Sequence, residues 1–147
     1  MTEVMQADVA GSYTVRMTVA QPPAAVFAAI NDVRSWWAGE FEGDTDRLGA
    51  VFTYRYEDMH RSTQRVTEFV PGKRVVWHVE AAEMTFIEDR GEWTGTDIVF
   101  DIAEVVGGTE VTFTHRGLLP TVECYPMCSD AWGGFVTGSL RERIERG

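Results

Sequence analysis

Cysteine is nearly missing from this chain: Cys124 and Cys128 are the only 2 in 147 residues. A disulfide framework is therefore excluded, and a zinc site has few soft ligands to build on. Basic residues are scarce as well, 13 Lys and Arg against 23 acids, for a formal net charge of −10. Nucleic acids and anionic membrane surfaces select for basic patches, so neither is an expected partner. Long apolar runs are missing too. The longest uncharged run, Met17 to Asn31, has 15 residues and contains Pro22-Pro23, too short and too interrupted to span a bilayer. The opening MTEVMQADVAGS carries acids and no basic segment ahead of an apolar core. A secretion signal is thus not expected; residues 1–11 read as a loose leader and the chain as a soluble cytoplasmic one. Nor is there a repeat, a Gly-rich phosphate loop, a nucleophile elbow or a metalloprotease helix motif.

What is present is the composition of one globular domain, placed here at residues 12–147, with 44% apolar residues. Ser12 to Ala20 alternates, with Tyr13, Val15, Met17 and Val19 on one face, as a half-buried strand does. Pro22-Pro23 ends it and opens a short helix over Ala24 to Ile30. Asn31-Asp32 stops that helix, and Asp32 or Ser35 can cap a second one carrying Trp36-Trp37. From Gly49 onward the pattern is hairpins. Phe52, Tyr54 and Tyr56 share a strand face, and Glu57 to His60 makes a turn. Ser62 to Val70 forms the next strand, ended by a Pro71-Gly72 turn. Arg74 to Glu80 follows. Ala81 to Gly95 is a long connection, with a short strand expected at Met84 to Ile87. Asp97 to Val105 and Thr109 to Arg116 alternate clearly about a Gly107-Gly108 hairpin.

The end of the chain is different. Cys124, Cys128, Trp132, Val136, Leu140 and Ile144 recur at every fourth residue, the apolar stripe of an amphipathic helix from about Pro126 to Arg146. Gly133, Gly134 and Gly138 weaken that helix, and suggest close approach to a sheet or a bend. Pro126 marks a helix start or a kink. Strands followed by a long helix make an α+β domain, the helix covering one face of an antiparallel sheet of about six strands.

In that order the chain resembles the helix-grip fold of the START-related, birch-pollen-allergen-like (SRPBCC) superfamily. Within it, the chain is most similar to the family named after the activator of the heat-shock-protein-90 ATPase. The resemblance is carried by Trp36-Trp37, by the run VPGKRVVW from Val70 to Trp77, and by Glu92-Trp93-Thr94-Gly95-Thr96. Thr114-His115-Arg116-Gly117-Leu118, Glu123-Cys124-Tyr125, Cys128, Trp132 and Ser139-Leu140-Arg141 complete it. It implies a curved sheet wrapped around the helix with a cavity between them. Lipid carriers, cyclase-like enzymes, hormone receptors and co-chaperone domains share the superfamily, so function has to come from the cavity itself.

On that expectation the sheet contributes Phe52, Tyr54, Trp77, Phe100, Phe113 and His115 to the cavity. The helix adds Cys124, Met127, Cys128, Trp132 and Phe135. Trp36 and Trp37 close one end, and Glu92 and Trp93 the other. Such aromatic walls either line a small-molecule site or simply fill a core. His115 shares the inward parity of Phe113 and Val111. It is a ligand anchor, an acid/base or a satisfied core histidine. His78 points outward and His60 sits in a turn, so neither is a site candidate. The two thiols read first as small apolar core residues, ahead of a metal site or a Cys–His nucleophile. The acids around Glu92 read first as a solvated loop.

No catalytic residue, cofactor or metal is assigned. Three functional readings stay open. One is a binding protein for a small hydrophobic or aromatic molecule. Another is an enzyme on such a molecule, a cyclase, dehydratase or hydrolase with His115 as acid/base. The last is a co-chaperone-like modulator of a heat-shock-protein ATPase, the least favoured because the extra N-terminal domain of the eukaryotic co-chaperone is not evident. A homodimer is compatible with each.

Overall fold

The computed structural model describes residues 11–146. The expected leader lies almost wholly outside the described residues. Strand β1 (Tyr13–Val19) leads to helix α1 (Pro23–Asn31), with Pro23 in its first turn. Six more strands follow: β2 (Glu40–Glu42), β3 (Val51–Tyr56), β4 (His60–Val70), β5 (Arg74–Met84), β6 (Asp97–Val105) and β7 (Gly108–Arg116). They form one antiparallel sheet in the order β1-β7-β6-β5-β4-β3-β2. Every sequential strand pair from β2 to β7 is a hairpin neighbour, and β1 closes the far edge beside β7.

The C-terminal helix packs across this sheet in three consecutive segments: α2 (Tyr125–Gly134), a π-helical stretch (Phe135–Leu140) and α3 (Arg141–Arg146). The π stretch has a reason in the sequence. An ideal α-helix has about 3.6 residues per turn, so a stripe repeating every fourth residue drifts about 40° per step around the axis. Wider π turns absorb part of that drift. Cys124, Cys128, Trp132, Val136, Leu140 and Ile144 accordingly all stay buried. Of the three helix glycines, only Gly133 answers to close approach, since a Cβ there would sit 3.2 Å from Tyr13 Oη; Gly134 and Gly138 face open space.

Several expectations need correction. The second helix is a single 3-10 turn, Val33–Ser35, that ends before the tryptophans. Trp36 and Trp37 are both buried with ring planes only 16° apart. Consecutive residues of a helix point in different directions and do not present parallel rings to one core. Strand β2 is a seventh strand, hidden in the sequence because a three-residue EFE segment carries too little alternation to read. β5 runs on to Met84, and the short strand at Met84 to Ile87 is not formed. The pairing of β4 with β5 shifts register at Thr63/Gln64 and Val66/Glu68. Such bulges break period-two alternation while bending the sheet, so β5 stopped being legible where it bent. The β6–β7 loop is Val106-Gly107, not Gly107-Gly108, for Gly108 already pairs with Val105.

Candidate functional site

The space between sheet and helix is mostly filled. Phe52, Trp77, Phe100 and Phe113, all expected to line a cavity, are at most 1% exposed. They pack on one another, with Trp77 and Phe113 meeting Phe100 edge-on at ring distances of 5.2 and 5.0 Å. Trp36 sits over Phe100 and donates its indole N–H to the Ile30 carbonyl at 3.1 Å. These residues are packed core and leave no space among them.

A cavity of about 190 Å³ remains at one end. From the expected residues it takes Trp37, Tyr54, Trp93, Cys128, Trp132 and Phe135. The indoles are arranged as walls: Trp93 and Trp132 lie 6.0 Å apart and 13° from parallel, and Trp37 meets Trp132 at 5.0 Å. Tyr54 stacks on Trp37 at 4.2 Å, and its hydroxyl is fixed by donation to the Ala38 carbonyl at 2.6 Å. Burial pushes the Tyr54 phenol well above its ordinary value, so it stays a neutral donor.

Tyr56, Met59, His60, Phe86, Met127 and Ala131 complete the lining. Among these, Met127 was expected from the helix, while the others were missed as wall residues. His60 is the instructive miss. Read as a turn residue, it opens β4 and is 8% exposed. The signal was there: His60, Ser62, Gln64 and Val66 share one parity, and all are buried.

His115 is placed inward as expected, but it does not reach the cavity. It is fully buried, and both ring nitrogens are engaged. Trp132 Nε1 donates to Nδ1 at 3.0 Å. Thr96 Oγ1, 2.8 Å from Nε2, already spends its one proton on the Trp93 carbonyl at 2.6 Å. Nε2 must therefore carry the imidazole proton and donate it to Thr96. Burial, aided by nearby His60, lowers the His115 pKa from 6.5 to about 3. It is a neutral, fully satisfied core histidine that ties Trp93 and Trp132 together behind the cavity wall.

The thiols are both free and buried. Cys124 is pushed up by its hydrogen bond with Cys128 and by burial, and Cys128 is drawn down chiefly by the Cys124 thiol. Neither sulfur is a partner of His115, whose nitrogens are taken, so no Cys–His pair forms. Trp93 Nε1 faces both thiols without a well-formed hydrogen bond to either, and it is unpartnered in that sense. Among the described residues no group of three or more His, Cys, Asp or Glu side chains is placed to hold a metal ion.

Glu92 has a structural use. Its carboxylate accepts the backbone N–H groups of Glu123 and Cys124 at 2.6 and 2.9 Å, just before α2 begins. Glu123 returns the contact, accepting from the N–H groups of Glu88 and Asp89 at 3.0 and 3.1 Å, and these bonds lower its pKa. This reciprocal clamp holds the β5–β6 connection, with Phe86 and Trp93, against the helix that carries Cys128 and Trp132. It builds the cavity mouth.

Residues 20–145 match the family model described as Activator of Hsp90 ATPase homolog 1-like protein. No curated protein matches the chain. Among solved structures, the Aha1 dimer from Colwellia psychrerythraea superposes with a TM-score of 0.73 at 23% identity, covering 91% of this chain and 96% of that one. A protein from Mesorhizobium loti gives 0.72 at 14% identity, with 90% and 96% covered. Another from Rhizobium loti gives 0.68 at 20% identity, with 90% and 95% covered. At these identities the likeness is one of fold: the curved antiparallel sheet and long C-terminal helix of the helix-grip class. Among the described residues no helix is long and apolar enough to cross a membrane.

Proposed function

Given that the chain belongs to the Activator of Hsp90 ATPase homolog 1-like family, we propose that it binds a small hydrophobic or aromatic molecule in the cavity between β3, β4, the β5–β6 connection and α2. The observation that carries this reading is the cavity itself, about 190 Å³ walled by Trp37, Trp93 and Trp132 in a core otherwise packed shut. Aromatic rings that line a small void beside a filled core are the usual walls of a small-molecule site. An apolar cavity of about 150 Å³ suffices for benzene, so the ligand is of one-ring or compact two-ring size. Turnover by His115 has no support in the geometry, because its lone pair and its proton are both committed inside the core.

Filling the cavity tests the reading. Ala131 lies on an exposed part of the α2 surface and lines the mouth. Ala131→Phe should keep the unfolding midpoint while abolishing quenching of tryptophan fluorescence by acetophenone. Equal quenching of both proteins would place the binding elsewhere. The dimeric Colwellia relative makes a homodimer the assembly to look for, by light scattering of the purified chain.

A further inference from the structure

In the cavity lining, the His60 imidazole has one ring nitrogen hydrogen-bonded and the other without a partner among the described residues. His60, Ser62 and Gln64 occupy alternate positions of β4 and are 8%, 1% and 0% exposed. Alternate residues of a strand project to one face, so the three form a polar strip running from the core into the cavity. Gln64 Nε2 donates to Ser62 Oγ at 3.0 Å. Ser62 Oγ in turn lies 3.1 Å from His60 Nε2. A serine hydroxyl has one proton and two lone pairs. Gln64 occupies one lone pair, and His60 Nε2 is the only other partner of this hydroxyl among the described residues, so it is the one acceptor open to the hydroxyl proton. The proton of the neutral imidazole then resides on Nδ1. Burial keeps this ring neutral, lowering its pKa from 6.5 to about 4.

Nδ1 makes no hydrogen bond among the described residues, and it is not one of the fully sealed unpartnered atoms. It therefore keeps contact with the cavity that His60 lines. The ring cannot easily turn away. Trp93 meets it edge-to-face at 4.5 Å and 72°, and Tyr54 at 5.2 Å and 63°. No lining residue carries a formal charge, and the chain as a whole carries −10. An anionic ligand would find no cation to pair with.

The geometry points to His60 Nδ1–H as the specificity-determining donor of the pocket, selecting a neutral aromatic molecule that bears one hydrogen-bond acceptor, such as an aryl ketone or aryl ether. This rests on the ligand-binding reading above and adds to it the chemistry of the ligand. The ring of the ligand lies against Trp93 and Trp132, and its oxygen accepts the Nδ1–H.

Two measurements test it. In the protein without ligand, the ¹⁵N shifts of His60 should show a protonated Nδ1 and a bare Nε2 at neutral pH; the reverse tautomer would overturn the inference. Acetophenone and isopropylbenzene are nearly isosteric and differ in the acceptor oxygen. The ratio of their dissociation constants should change about tenfold against acetophenone in His60→Phe, the worth of one buried hydrogen bond. An unchanged ratio, with both probes still bound, overturns the role of His60 and leaves the pocket standing. Failure of both probes to bind the wild-type protein overturns the pocket and the inference together.

Discussion

His115→Leu is the most informative single change to the core. In the folded chain His115 is neutral, with its pKa lowered from 6.5 to about 3 by burial and by His60. His60 is likewise lowered by burial, to about 4. In the unfolded chain both take up protons below about pH 6.5, while the folded chain resists. Stability is therefore fully present above the ordinary histidine value and is lost as pH falls. Each residue contributes a slope of up to about 1.4 kcal/mol per pH unit, so the pair costs about 4 kcal/mol by pH 5. Leucine at 115 removes one of the two titrations and should roughly halve that slope between pH 6 and 4.5. It also leaves the buried Trp132 Nε1–H without an acceptor and takes from Thr96 Oγ1 the N–H it receives. That should cost about 2–3 kcal/mol at pH 7.5, where histidine titration is absent. The assay is urea unfolding followed by tryptophan fluorescence across this pH range. A variant less stable at neutral pH yet less sensitive to acid fits the network. An unchanged acid slope would show that His115 titrates normally and is not sealed, and a neutral-pH loss under about 0.5 kcal/mol would refute the hydrogen bonds.

Two further changes test the frame around the cavity. Glu92→Gln keeps the shape but leaves one accepting oxygen where the Glu123 and Cys124 amides use two, so one amide faces an NH2 group; it should cost about 1 kcal/mol or more in urea unfolding and speed hydrogen exchange of at least one of those amides. Gly108→Ala would place a Cβ 2.0 Å from the Val19 carbonyl oxygen at a φ of +159°, forcing β1 away from β7. The expected loss is about 3 kcal/mol, or roughly 6–12 °C in Tm, whereas Gly107→Asn, with open space around it, should be nearly neutral.

Much of the fold was legible because its strands alternate strictly. The inward parity of Val111, Phe113 and His115 was readable from spacing alone, as was the four-residue stripe from Cys124 to Ile144. Legibility failed where local geometry breaks the period. The β4–β5 bulges hid the end of β5, and the paired burial of Trp36 and Trp37 overrode a plausible helix. For the site, parity separates inside from outside but does not say how far a side chain lies from an opening. Phe100 and Trp132 share the inner layer, yet only Trp132 lines the cavity. His60 was passed over because a turn signal was weighed above its parity with Ser62 and Gln64. The clamp between Glu92 and Glu123 joins residues 31 positions apart through backbone amides, which no side-chain pattern announces.

The central claim is that a small aromatic molecule enters the cavity framed by three of the five tryptophans. The direct measurement is the set of indole ¹H–¹⁵N signals during titration with acetophenone. Saturable shifts for Trp37, Trp93 and Trp132, with much smaller ones for Trp36 and Trp77, are the predicted result. No saturable shift, or five signals moving alike, would contradict it.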